Sequence, residues 1–355
     1  MTRYIARRLL QAIPLLFIIS LILFILMQNM GDPLATLGGR QRPRPEEKIR
    51  LRRQLGLDKP FTVQYLYWLI GNDWTMNDLD NDGVPETPGT RRGVLRGDFG
   101  VSLKEKRPVL EVIWDRLPNT LLLMGVYEIV VLIGALLIGV YSALHQYSFL
   151  DHAITTLSFV GYSMPIFFVA LLAMYVFAVN FKAWHEQVPW LSWLPYLPTV
   201  GMFDPKVVGT QAEVPWQVMV PQVAWHMVLP VLSLSVISLS GYSRYIRSTM
   251  LEVLNQDYIR TARSKGLPRR TVVYVHALKN ASLPLVTIVG LDLPSLLAGA
   301  VVTERIFSWP GMGLLFLDSV DAVDTSVLMG ILMLISVAVV LFQICLLYTS
   351  PSPRD

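Results

Sequence analysis

The stretch Leu9–Gln28, LLQAIPLLFIISLILFILMQ, runs for 20 residues without a charged side chain. The hydrocarbon core of a bilayer is about 30 Å thick, and about 20 apolar residues in an α-helix cross it. Lipid offers no partner to a bare peptide N–H or C=O, so a run of this kind reads as a helix that satisfies its own backbone. Arg3, Arg7 and Arg8 precede it, as in the n-region of a secretory signal. Yet the run is longer than a signal's apolar core, and Asn29-Met30-Gly31-Asp32-Pro33 supplies no small-x-small cleavage site. It reads as an uncleaved first span.

Five further runs extend the pattern: Thr120–Leu144 with Glu128 inside it, Ala153–Val179, the serine-rich Val223–Tyr242, Leu283–Thr303 with Asp292, and Ser326–Tyr348. Of 355 residues, 53% are hydrophobic and 16% charged. A soluble domain is nearer a quarter charged, so a soluble enzyme, a disordered chain and a collagen are excluded. The lone Cys345 excludes a disulfide scaffold. The expected fold is an all-α integral membrane protein with six transmembrane helices, a large external loop after helix 1, and a cytoplasmic loop between helices 4 and 5.

Orientation follows the Lys and Arg of short loops. The head carries Arg3, Arg7 and Arg8 with no acid. The segment after the fourth run carries Arg244, Arg247, Arg260, Arg263, Lys265, Arg269, Arg270 and Lys279 against Glu252 and Asp257. Both are expected in the cytoplasm of a bacterial or archaeal cell, at its inner membrane. Residues 1–28 are then head and first span, 29–119 an external region with an acidic insert near 71–93, and 120–348 a five-span core. A cytoplasmic loop at about 243–283 lies within that core. The Trp- and Pro-rich stretch 180–222 is expected along the outer interface, where tryptophan concentrates. The net charge of +4 gives little reason to expect nucleic acid.

Acids inside a span are costly and tend to face a bundle's interior. Glu128 and Asp292 therefore read either as a path for a substrate bearing an amine or as partners for polar groups on other helices. Pro165, just after Ser163, and Pro294 break helical hydrogen bonding, and such breaks often sit beside a cavity. Gly134, Gly139, Gly161, Ser233, Ser235, Ser238 and Ser240 allow helices to approach closely.

Between the fourth and fifth runs, Met250, Leu251, Leu254, Tyr258 and Ala262 recur at helical spacing. They predict an amphipathic helix continuing from span four and closing at Gly266, which can take positive φ. Pro268 opens a second helix to Lys279, with Val272, Val275 and Leu278 on one face. This basic helix–turn–helix knob reads equally as a loop on anionic lipid or as a dock for a partner.

The run Asp257-Tyr258-Ile259-Arg260-Thr261-Ala262-Arg263-Ser264-Lys265-Gly266-Leu267-Pro268, with His276 to Pro284 after it, resembles the cytoplasmic loop of ABC-importer permeases of the dipeptide/oligopeptide/nickel family. The resemblance covers nearly the whole chain. It includes Arg7 to Pro14, Gly31-Asp32-Pro33, Leu55 to Pro60, Gly97 to Ser102, Arg107-Pro108-Val109 and Arg116 to Thr120. Farther on it includes Ser163-Met164-Pro165-Ile166-Phe167, His226 to Pro230, and Glu304 with Phe307 to Gly313. Any one of these is weak, but together and in order they are specific, and they favour docking over lipid. The resemblance implies half of a pore completed by a second permease subunit. Two cytoplasmic ATPase subunits would be docked by the loop residues Arg260, Thr261, Ala262, Arg263, Ser264, Lys265, Gly266, Leu267 and Pro268. An external binding protein would deliver a peptide or, in similar systems, a nickel chelate or oligosaccharide. The path would include Glu128, Asp292, Ser163 and Pro165. Catalysis is expected in partners, since the chain has no G-x-x-x-x-G-K-[ST] phosphate loop, no G-x-S-x-G and no H-E-x-x-H. A Gly266→Asp change is expected to leave insertion intact and stop transport. The rival readings are a stand-alone secondary transporter or channel, which would show two inverted halves with paired broken spans, and a membrane-embedded enzyme.

Two stretches depart from the resemblance. Asp78, Asp80 and Asp82 before Gly83 read as the first half of a calcium loop, with Gly89 where the bidentate glutamate would stand. They read as a weak structural calcium site or as a solvated acidic turn. The tail 349–355 reads as a scar on a truncated chain.

Overall fold

The computed structural model describes residues 2–34, 44–78, 86–181, 184, 197–204, 206 and 215–349. Among the described residues, five helices are long and apolar enough to span a membrane: Arg7–Gln28, Val109–Leu144, Trp216–Leu254, Leu283–Ile306 and Thr325–Ile344. A sixth span exists if the bent pair Phe149–Ser163 and Ile166–Asn180 is counted as one. The third run, read as one span over 153–179 with a break at Pro165, is bent by 107° at that proline. Pro165 disfavours helix at the residue before it, and Met164 is extended at φ −81°, ψ 134°.

The chain forms two compact units, residues 1–118 with 315–344 and residues 119–314 with 345–355. In the first, α1 (Thr2–Gln28) is followed by α2 (Pro45–Gln54) and α3 (Phe61–Ile70). Pro45 is pre-set for the first turn of α2, and Glu47 accepts from the Arg44 N–H at 3.1 Å. An aromatic core holds α1 to α3. Phe24 meets Tyr65 edge-on at 5.4 Å, Tyr65 stacks on Trp68 at 5.9 Å, and the Tyr65 and Ser20 hydroxyls bond at 2.7 Å. After α3 the acidic insert leaves and returns through a tight neck. A side chain on Gly71 or Gly93 would run into the opposite backbone, and Asn72 Oδ1 accepts from the Arg91 N–H at 2.9 Å. A two-residue ribbon pairs Met76–Asn77 with Thr87–Pro88. Asp80 and Asp82 of the calcium reading lie outside the described residues; Asp78, half-buried, is at their edge. The tail from 350 lies outside them too, as does most of the Trp-rich stretch 182–214; Trp184 is described and exposed.

α4 (Val109–Leu144) starts well before the expected Thr120 and runs through Pro118. Its first turns belong to the first unit, where Val109 and Ile113 pack over Gly330 of α13 (Thr325–Thr349). The remaining turns of α4 open the second unit. There α5 (Phe149–Ser163) and α6 (Ile166–Met174, continued as a wide π turn to Asn180) pack on α7 (Trp216–Leu254). The small residues act as expected. A Cβ on Gly139 would lie 2.7 Å from Ile246, and one on Gly161 would lie 2.8 Å from Ser240. After α7 come α8 (Asp257–Ser264), α9 (a π turn over Thr271–Ala277 running into Leu278–Ala281), α10 (Leu283–Ala298), α11 (Val301–Ile306) and α12 (Met312–Asp321).

Candidate functional site

The segment from α8 to α9 is a projection with an apolar root and a basic tip. α7 ends at Leu254 and α8 starts afresh after Gln256, so the single amphipathic helix expected from Met250 to Gly266 is two helices. The break shifts the helical phase. Ile259, with no exposed surface, joins Met250 and Ala262 in the core, while Tyr258, expected there, is 44% exposed. The second helix departs likewise. A π turn has a wider repeat than 3.6 residues, so Val272, Val273, Ala277 and Ala281 face inward; Val275 is exposed and Leu278 only half-buried. These side chains pack with Val140, Ala143 and Ile246 of α4 and α7. Each large one buried stabilises the root by about 1.5–3 kcal/mol.

The turn between them is a complete Schellman closure of α8. Leu267 N–H donates to the Ala262 carbonyl at 3.4 Å, Gly266 N–H donates to that of Arg263 at 3.0 Å, and Gly266 stands at φ +75°. Arg263, Ser264, Lys265, Gly266, Leu267, Pro268, Arg269 and Arg270 are all exposed, as are Arg260 and Thr261. Asp257 is the one acid from 257 to 270. Its pair with Arg260, at 3.5 Å between side chains 97% and 73% exposed, contributes little. The tip is therefore a rigid cationic surface of short helix and turn.

The intramembrane acids are brought into one polar cluster by α4, α7 and α10. Tyr242 donates to Asp292 Oδ2 at 2.5 Å, and Tyr127 and Ser238 share a hydrogen bond of 2.6 Å. Glu128 is buried, its Oε1 has no hydrogen-bond partner among the described residues, and it lies within electrostatic reach of Asp292. Sequence reading missed Tyr127 and Tyr242; the available signal was the Ser238/Tyr242 pair at i, i+4 beside the Tyr127-Glu128 dipeptide. Ser163 and Pro165 stand at the bend of the α5–α6 pair, exposed, with Ser163 Oγ donating to the Phe159 carbonyl at 2.8 Å.

Two buried carboxylates organise the second unit. Asp151 accepts two hydrogen bonds from Arg247, each 2.9 Å, one from the Tyr147 N–H at 3.0 Å and a short one from Ser142. Arg247 entered the sequence reading only as an orienting charge. Glu304, fully buried, accepts from Thr120 Oγ1 at 3.1 Å and from the Leu314 N–H at 3.0 Å. Trp309 Nε1 donates to the Asn119 carbonyl at 2.9 Å. Side chains on Gly299, Gly311 or Gly313 would crowd the Glu304 carboxylate. The Phe307–Gly313 motif is thus the wrapping of one buried carboxylate.

Comparison with known proteins places this arrangement. The model of the binding-protein-dependent transport system inner membrane components matches residues 135–349, and the model of that family's N-terminal region matches residues 1–124. The oligopeptide transport system permease protein of Bacillus subtilis is 38% identical over 100% of this chain and 99% of its own length. The dipeptide transport system permease protein of Escherichia coli K12 is 36% identical over 100% of this chain and 98% of its own. The di/tripeptide transport system permease protein of Pseudomonas aeruginosa is 35% identical over the same shares.

Proposed function

The chain belongs to the family of binding-protein-dependent transport system inner membrane components, and on that premise we propose that it forms half of the pore of an ATP-driven peptide importer. A second, similar permease completes the pore, two ATPase subunits sit beneath it, and an external binding protein delivers the substrate. The peptide class rests on the names of full-length relatives. The observation that carries the mechanism is the α8–Gly266–α9 projection, whose exposed cationic tip is fixed to α4 and α7 by an apolar root.

In this reading the N-terminus and the projection lie in the cytoplasm. Residues Arg260–Pro268 seat in the ATPase, and the packed root passes ATPase motion to α4 and α7. Glu128 and Asp292 face the path, where the unpartnered Glu128 oxygen receives a substrate amine or water. The aspartates 78, 80 and 82 read as a weak structural calcium site or as a solvated acidic turn; a calorimetric titration of the purified protein that shows no heat up to millimolar calcium decides for the turn.

The test is uptake. Proteoliposomes carrying the chain with its co-purified subunits and binding protein should accumulate a radiolabelled dipeptide only with internal ATP. Accumulation of a nickel chelate or an oligosaccharide in place of peptide would reassign the substrate. Peptide exchange without ATP would make the chain a secondary transporter.

A further inference from the structure

Behind the tip of the projection lies a groove of about 500 Å³. Its floor is Ala143 near the end of α4 with Val272 and Val273 of α9, side chains already packed in the core of the root. Its walls are Leu144, Leu254 at the end of α7, and Leu267 just past the Gly266 turn. The exposed cations Arg263 and Arg269, one on each side of that turn, form its rim. The volume falls in the range of small-ligand pockets and is ample for one large side chain.

Three observations select an occupant. The first is the apolar surface left open. The floor has almost none, so a guest touches the walls, where Leu144 and Leu254 are half-buried and Leu267 is 38% exposed. The second is charge. No residue around the groove is acidic, and the sequence has no acid between Asp257 and Asp292. Asp257 pairs with Arg260, while Arg263 and Arg269 make no ion pair with any described residue. Both guanidiniums are exposed, so water serves them and they call for no anion by themselves. Their effect is selective: a cationic rim favours an acidic neighbour over a basic one and helps to set the register of docking. The third is position. Arg263 and Leu267 belong to the segment 260–268 that the transport reading places against the ATPase, so the groove opens onto that partner.

The groove is also formed in advance. The Schellman closure at Gly266 fixes Arg263 and Leu267 relative to α8, and the packed floor fixes α9 to α4. A site ordered before its partner arrives loses less conformational freedom on binding.

We propose that this groove is a socket for the ATPase: the partner inserts a large apolar side chain against Leu144, Leu254 and Leu267, and an aspartate or glutamate beside it lies between Arg263 and Arg269. The inference rests on the transport reading and adds a direction to it. The projection inserts into the ATPase and also takes a side chain from it. An apolar anchor in a pocket, with charged groups kept to the rim, follows the usual distribution of binding energy at a protein interface.

The test uses the tagged full chain, purified with its partners in mild detergent. Leu254 lies outside 260–268, so filling the groove there separates a socket from a tip that only inserts. Leu254→Trp should lower ATPase retention at least tenfold while the second permease stays bound and the unfolding temperature of the chain is unchanged. Retention equal to wild type overturns the proposal. Where Leu254→Trp does not fold, the exposed Leu267 is replaced by photo-reactive benzoylphenylalanine and the cross-linked product is mapped by mass spectrometry. A cross-link to a large apolar residue of the ATPase with Asp or Glu close by supports the socket, and exchanging that acid for Arg should restore the retention lost in Arg263→Glu with Arg269→Glu. A cross-link to phospholipid alone with the ATPases still retained, or to an ATPase surface with no acid close by, overturns the socket and leaves the transport reading standing. A wild-type chain that carries no ATPase overturns that reading and the socket with it.

Discussion

At Gly266 the constraint is on the backbone. Its φ of +75° lies in the left-handed region, and a Cβ built there meets nothing within 4 Å. A substituted side chain therefore has room, and the penalty is conformational, about 1–2 kcal/mol for an ordinary residue. Asn enters this region more readily than most, so Gly266→Asn should keep most of the uptake. Gly266→Val should lose most of it with normal membrane insertion. The loss expected for Gly266→Asp then reports a reversed charge beside Arg263 and Lys265; equal uptake by the Asp and Asn variants would refute that attribution. A second residue-scale effect depends on pH. Arg96 donates to both oxygens of Asp73, at 2.6 and 2.7 Å, and this hydrogen bonding holds the Asp73 carboxyl below the usual carboxylate range. A carboxylate with a depressed folded pKa contributes stability above its unfolded pKa, about 3.9, and loses it as pH falls through the folded value. The unfolding-temperature difference between wild type and Asp73→Asn should therefore be present at pH 7 and shrink below pH 4. It should be small and weakened by salt, because both side chains are exposed.

At the scale of elements, the Asp151–Arg247 pair ties the start of α5 to the last turns of α7, just before the projection. Asp151 is 2% exposed, so removing it strands a partly buried guanidinium. Breaking a buried pair on one side costs about 3–5 kcal/mol, and the 28% exposure of Arg247 places this case at the low end. Asp151→Ala should lower thermal stability clearly, and Asp151→Ala with Arg247→Ala should lower it less than the sum of the single changes. Simple additivity would show that the pair is not coupled. Gly139→Val should cost about 1–3 kcal/mol by overpacking against Ile246, read by the same assay. These contacts also show what sequence could and could not convey. The apolar runs and Gly266 were legible because length in lipid and positive φ are local demands. The inward faces of the projection were not. The break at Asn255-Gln256 and the π turn at 271–277 each shift the phase, which replaced Tyr258 by Ile259 and Val275 by Val273. The fold-back of the third run was half legible: Pro165 announced a break, but no local signal sets 107°. Glu304 stood in a recognisable motif, yet its burial against Thr120 depends on residues 184 positions apart.

At the scale of the whole molecule, a projection with an exposed cationic tip is rooted in the helical core of the second unit. The apolar root packs the projection on α4 and α7, and the proposed coupling requires motion imposed at the tip to pass through that packing. Reversing the tip's charge should therefore separate assembly from folding: Arg263→Glu with Arg269→Glu should leave expression and thermal stability of the chain unchanged while weakening ATPase retention at least tenfold. The most direct measurement is a mild-detergent affinity purification of the tagged chain from its own host's membranes, with mass spectrometry of what accompanies it, beside that double variant. The account predicts a second permease and ATPase subunits with the wild type, and loss of the ATPases from the variant. A chain recovered alone in several detergents, or ATPases retained equally by the variant, would contradict the claim that residues 260–268 dock them.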